Sequence, residues 1–295
     1  MYFKAFRPSA ALESYIRSYY YLQIDTDEKA MGQITRYPTD GGPKLIINLG
    51  DAFLAGDNEN NLKPFSGCRL IGSLSRQLIS KTGGRIAFLA IRFMPGKIAP
   101  FFNVRGSELT DGSAALDALW GTYGKVFEQR LRNFDTIQQM LTFVECVLLS
   151  QLEQQTLLDI EITAALDLIW QTNGQIRINE LAEQVGLSLR QFERRFTNLV
   201  GLNPKRLCRI SRFANILSSF DNSHKQSWVG KAMDGGYSDH AHFIRECKFF
   251  TGLSPIIYLA QRSPLEVAVW SKYHSLLADK VGTFSSTTIK NPLLK

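Results

Sequence analysis

The stretch "FERRFTNLVGLNPKRL" runs from Phe192 to Leu207, and "FIRECKFFTGLSPIIYL" runs from Phe243 to Leu259. They are one pattern written twice. Each is a basic helix anchored by aromatic residues, and each ends in Gly-Leu-X-Pro. Phe243, Gly252 and Pro255 stand 51 residues after Phe192, Gly201 and Pro204. Upstream, Ala232 and Gly236 stand 50 after Ala182 and Gly186, so the copies align with one residue inserted in the turn.

In the first copy, "INELAEQVGLSLRQFERRF", Asn179 is the expected N-cap of a short helix that turns Leu181, Ala182 and Val185 to one side. Ala182 is small where two helices must approach, and Gly186 permits a left-handed turn at little cost. Ser188 is the expected cap of a second helix that buries Phe192, Phe196 and Leu199. This is the sequence form of a helix-turn-helix. Burying the aromatics leaves Arg190, Gln191, Glu193, Arg194 and Arg195 facing out, with donors suited to guanine edges and phosphates. In the second copy Ser238 or Asp239 is the expected cap, and His240, Ala241, Ile244 and Arg245 face out. "PKRLCRISRFANILSSF" reads as a longer helix joining the two units. Two units on a stiff helix can enter successive major grooves, about 34 Å apart on one face of a duplex.

Charge agrees with a polyanionic partner. The whole chain of 295 residues carries a net charge of +7. Residues 1–160 contribute +1, 161–263 contribute +4 and 264–295 contribute +2. Between Gly186 and Arg212 stand seven basic residues and one acid, Glu193. Such a cluster suits nucleic acid, although a solvated helical face has the same composition.

The first third reads as β. "KLIINLGDAFLAG" and "GRIAFLAIRFMPGK" are short apolar runs closed by turn residues. "DGGPK" and "TGGR" are expected to form hairpin turns. Near Asp111 the period changes to helical, and Ile137, Met140, Leu141, Val144, Val147, Leu148 and Leu152 form one apolar stripe. Period alone leaves two destinations for it, its own domain or a seam with a second copy. "QQTLLDIEI" is a short link, and helical periodicity resumes from Ile162.

Other chemistry finds little support. Cys68, Cys146, Cys208 and Cys247 are scattered, as reduced thiols are. No histidine precedes His224, which argues against a His-ligated metal in the β region. His240 and His242 diverge by about 200° on a helix, a poor chelate. GxSxG and P-loop motifs are absent from the sequence. No catalytic residue, metal or cofactor is expected. Tyr15, Tyr19, Tyr20, Tyr21 and Phe88 are candidates either for a pocket lining or for plain core. No apolar run is long enough for a membrane helix, and the expected location is the cytoplasm.

The segments "LAEQVGLSLRQFERRF…GLNPKRL" and "GGYSDHAHFIRECKFFTGLSPIIYL" resemble the DNA-binding domain of AraC-type bacterial transcription regulators. The resemblance implies base contacts from Arg190, Glu193 and Arg194, and from His240, Ala241, Ile244 and Arg245. Charge and position add Ser188, Gln191, Arg195, Lys205, Arg206, Ser238, His242 and Lys248 as candidate DNA contacts. The family usually has Phe where this chain has Cys247. "RYPTDGGPKLIINLGD", "IRFMPGKIAPFF" and "ELTDGSAALDALWG" resemble the cupin-like N-terminal domain of an AraC-type subgroup, which implies a sensing or dimerisation role.

The expected fold is therefore α+β and multidomain. It comprises a cupin-like β-barrel (1–110), a helical linker (111–160), an all-α domain of two helix-turn-helix motifs (161–263) and a tail (264–295). The expected partners are double-stranded DNA, a small-molecule effector of unspecified chemistry, a second copy in a homodimer, and RNA polymerase. A small-molecule binder or enzyme whose helical domain no longer binds DNA is the alternative. A third reading is a regulator whose N-terminal domain dimerises without sensing.

Overall fold

A computed structural model describes residues 2–24, 32, 34–81, 83–152, 159–221, 233 and 235–262. The expected Ala232 position, most of the first helix of the second motif, and the 264–295 tail lie outside them.

Among the described residues, ten strands form two antiparallel sheets. They are β1 (Tyr2–Phe6), β2 (Ile16–Ile24), β3 (Ile34–Tyr37), β4 (Lys44–Asn48), β5 (Phe53–Gly56), β6 (Lys63–Phe65), β7 (Cys68–Ile71), β8 (Leu78–Lys81), β9 (Ile86–Phe93) and β10 (Ser113–Ala115). One sheet has the order β1-β2-β9-β4-β7-β10 and the other β3-β8-β5-β6. The expected hairpins at "DGGPK" and "TGGR" are absent. The first leads from β3 to β4 and the second from β8 to β9, so both cross between sheets. Glycine supplies a sharp change of direction in either case, and composition does not say which sheet comes next.

β9 explains why its sequence is apolar without alternation: all eight of its residues are buried. Leu89, Ile91 and Phe93 point to one side, into a core shared with helices. Phe88 and Ala90 point to the other, into a smaller core between the sheets. The tyrosines of β2 divide by the same rule. Tyr19 and Tyr21 pack on the helical side, whereas Tyr20 faces the space between the sheets.

The helices behind the large sheet are α1 (Ala99–Phe102), α2 (Leu116–Trp120), α3 (Thr122–Arg132) and α4 (Ile137–Leu152). Leu141, Val144, Val147 and Leu148 of α4 are fully buried in the sheet's own core. The apolar stripe therefore packs within its own domain. Glu145 fixes α4 to the sheet, because its Oε1 accepts from Tyr19 Oη and from the Ser9 amide, both at 2.9 Å. The segment expected as a linker, 111–160, thus supplies a strand and a packed layer to the N-terminal unit.

The remaining helices are α5 (Ile160–Gln171), α6 (Ile178–Gln184), α7 (Leu189–Val200), α8 (Pro204–Asp221), α9 (His240–Thr251) and α10 (Pro255–Gln261). They share one core in which Phe192, Phe196, Phe243 and Phe250 are fully buried. Truncating either anchor of α7 to alanine would cost about 3–5 kcal/mol. Cys247 sits in the same core, its side chain 1% exposed, where a small apolar group suffices. Among the described residues, no helix is long and apolar enough to cross a membrane.

Candidate nucleic-acid interface and its link to the barrel

Local chemistry starts each recognition helix at a defined residue. Ser188 Oγ accepts from the Gln191 amide, and the Gln191 side chain returns to the Ser188 backbone, closing a capping box on α7. Asp239 Oδ1 accepts from the His242 amide at 2.6 Å and caps α9. That contact, with help from the Ser238 hydroxyl, holds the Asp239 carboxyl below its usual range. Both helices end on a left-handed glycine, Gly201 and Gly252. Asn179 is not a cap: α6 begins one residue earlier, with Arg177 as its N-cap.

With the phenylalanines inward, Arg190, Gln191, Glu193 and Arg194 are exposed on α7. Arg190 and Arg194, four apart, share one face. On α9 the exposed residues are His240, Ala241, Arg245 and Lys248, and the last three lie along one stripe at spacings of four and three. Ile244 and His242 are half-buried, and the His242 ring stands edge-on to Tyr237, with centroids 5.1 Å apart. Ser188, Ser238 and Lys205 are exposed at helix starts.

Two of the candidate contacts are engaged elsewhere. Arg195 donates to Asp159 at 3.0 and 2.7 Å and to Glu161 at 2.9 Å. Its charge is met by two carboxylates at the N-terminus of α5. Arg206 lies over the Phe249 ring at 4.4 Å, and Arg76 of the N-terminal domain approaches the same ring at 4.8 Å. Burial, with Arg209 and Arg76 nearby, lowers the Arg206 pKa. Among the described residues, the salt bridges of the helical domain use Arg195 and Arg209. Arg190, Arg194, Arg245 and Lys248 take no part in them.

The β-domain sits directly on the helical domain. Thr110 Oγ1 donates to the Gly201 carbonyl at 2.6 Å, and Lys97 Nζ donates to Thr163 Oγ1 at 2.8 Å. Gly106 touches the last turn of α7 so closely that an added Cβ would collide with the Leu199 carbonyl. Gly41 has a φ of +77°, and a Cβ there would stand 2.5 Å from Leu207 Cδ1 of α8.

Gly41 belongs to the 38–43 turn, whose other side lines a cavity between the sheets. The cavity wall includes Tyr20, Tyr37, Phe53, Phe65, Phe88, Asp40, Lys44 and Arg92, and the volume is about 100 Å³. Asp40 is paired with Arg92 and with Lys44, the latter at 2.8 Å, and its Oδ1 also accepts from the Gly42 amide at 3.2 Å. Although burial opposes it, the neighbouring cations hold the Asp40 carboxyl far below the usual carboxylate range. Sequence reading missed this cluster. Its signal was Arg92, a charge in the otherwise apolar run "IAFLAIRF".

Residues 181–261 match the family described as a helix-turn-helix domain. The C-terminal domain is an AraC-type helix-turn-helix domain. The chain therefore carries the DNA-binding module of an AraC-type transcription regulator. Residues 4–115 match a family described as a domain of unknown function (DUF6597). No curated protein sequence matches the chain.

Among solved structures, ToxT from Vibrio cholerae at 1.65 Å is 10% identical with a TM-score of 0.47, covering 89% of this chain and all of that one. Wild-type ToxT bound to an unsaturated fatty acid is 8% identical with a TM-score of 0.47, covering 88% of this chain and 96% of that one. ToxT bound to (E)-4-(8-methylnaphthalen-1-yl)but-3-enoic acid is 11% identical with a TM-score of 0.47, covering 88% and 99%.

Proposed function

We propose that the AraC-type domain reads duplex DNA with α7 and α9 together, each in its own major groove. The observation that carries this is the pair of capped helices whose outward cations take no part in the salt bridges among the described residues of the domain. Arg190, Arg194 and Arg245 read bases, with Glu193, Ala241, His240 and Ile244 shaping the contact. Ser188, Gln191, Ser238, Lys205 and Lys248 hold the backbone. Arg195 and Arg206 are reassigned to structure. The N-terminal domain receives the signal in its cavity and passes it through the 38–43 turn to α8. The working form is a homodimer acting on RNA polymerase. The reading without DNA binding is not favoured.

The test is a site selected from random duplexes, followed by hydroxyl-radical footprinting of the full chain. Two protected patches on one face for each bound copy, about 10 base pairs apart, support the reading. A single patch sinks the two-groove account.

A further inference from the structure

Both recognition helices end against one platform of the N-terminal domain. At the end of α7, Thr110 Oγ1 donates to the Gly201 carbonyl at 2.6 Å, and Ser107 Oγ donates to Asn198 Oδ1 at 3.2 Å. At the end of α9, a Cβ added to Gly252 would stand 3.2 Å from Gln77 Nε2. Arg76 lies over the Phe249 ring of the same helix at 4.8 Å. Gly201 and Gly252 are the left-handed glycines that close the two helices, so the platform meets the duplicated motif at equivalent points.

The two contacts belong to one piece of structure. Residues 72–77 leave β7 and residues 106–112 enter β10, and these strands pair at Ile71 and Ser113. Beyond the strands the loops stay joined. The Gly72 amide donates to the Gly112 carbonyl at 3.0 Å, and the Asp111 amide to the Ser73 carbonyl at 3.1 Å. Asp111 adds a fork: its Oδ1 accepts from the Ser75 amide at 2.6 Å and its Oδ2 from Ser75 Oγ at 2.8 Å. Thr110, on the first motif, and Arg76, beside the second, are the chain neighbours of the two forked residues.

Within the helical domain, α8 and the shared core join the two motifs. A long helix curves, so a single helical link holds its ends less firmly than two ties to one sheet edge. Groove binding demands that firmness. One inserted base pair moves the second groove by about 3.4 Å and turns it by about 34°. We propose that residues 75–77 and 110–111 form a spacing gauge, which fixes the separation of α7 and α9 and so decides which distance between two half-sites the protein accepts. Thr110, Asp111, Arg76 and Gln77 are positioning residues in this account, acting through the helices and not on the DNA. The gauge rests on the two-groove reading and adds half-site spacing to what that reading specifies.

The experiment uses the full chain and two variants. Asp111→Gly removes the fork, and the Asp111 φ of +54° suits glycine. Thr110→Val removes the hydroxyl that holds Gly201 and keeps the side chain's shape. Each protein is titrated with the selected site, with versions carrying one base pair more or fewer between the two protected patches, and with random duplex. The parent should lose about tenfold or more in affinity on either altered spacing. In both variants that penalty should shrink by about threefold or more, while affinity for random duplex stays within about twofold. A penalty unchanged in either variant overturns the gauge and leaves the two-groove reading standing. So does an equal loss on every DNA, random duplex included, which marks a merely structural contact. A parent indifferent to spacing refutes the two-groove reading itself, and the gauge with it.

Discussion

Arg195 is bound to Asp159 by two hydrogen bonds, Nε to Oδ2 at 3.0 Å and Nη2 to Oδ1 at 2.7 Å. Asp159 also caps α5, accepting from the Ile162 amide at 3.0 Å. The pair therefore ties the recognition helix of the first motif to the first helix of its domain. Replacing Arg195 with alanine should lower stability by about 1–2 kcal/mol, since a partly buried forked pair and the order of a cap are both affected. Chemical denaturation reads this directly. At a temperature where the variant is folded, its specific and random DNA affinities should both stay within about threefold of the parent.

Arg194 is the preceding residue, turned about 100° round the helix onto the exposed face, and the opposite outcome is expected. Arg194→Ala should cost about 1–3 kcal/mol on the selected site and much less on random duplex. Competition binding measures the ratio. Equal losses on both DNAs would assign Arg194 to the backbone instead of a base.

Lys248 is exposed near the end of α9. If it holds a phosphate, Lys248→Ala should weaken binding to all sequences alike. It should also reduce the slope of log affinity against log salt by about 1. An unchanged slope would remove Lys248 from the interface.

Asp40 ties barrel stability to pH. Its folded pKa lies below the ordinary unfolded value of about 3.9, so its pairing stabilises the fold fully above about pH 4. That contribution is lost as pH falls below that value towards the folded pKa. Asp40→Asn should flatten this acid limb. At neutral pH it should cost about 3–5 kcal/mol, because Arg92 and Lys44 then lose their buried partner. A stability profile against pH, run on both proteins, checks the sign and the size.

Gly106 tests the contact between domains. Gly106→Ala places a methyl group against the Leu199 carbonyl at the end of α7, where backbone has to move. The expected result is easier proteolysis between the domains, with the aromatic core of each retained. A cleavage pattern identical to the parent would show that the contact yields without cost.

The duplicated motif was legible because its spacing is set by local geometry. A glycine closes each recognition helix, and a second phenylalanine, four residues along in α7 and seven along in α9, faces the same core as the first. The serine and aspartate caps of α7 and α9 were legible for the same reason. Arg195 and Arg206 were not, since their partners come from elsewhere in the chain: Asp159 is 36 residues away and Phe249 is on another helix. A basic residue on a helix reads the same whether it meets DNA or a carboxylate. The two glycine turns near Gly41 and Gly84 failed as hairpins because a tight turn and a crossing between sheets use the same residues. The α4 stripe resolved only once the large sheet supplied a face for it.

The central claim is that the AraC-type domain binds duplex DNA through exposed cations, and a salt series tests it most directly. Affinity of the full chain for random duplex should fall linearly with log salt, with a slope of about −3 or steeper for four or more phosphate contacts. The Arg190→Ala, Arg245→Ala double variant should bind the selected site no better than random DNA. Binding that is absent, or that does not change with salt, would contradict the account.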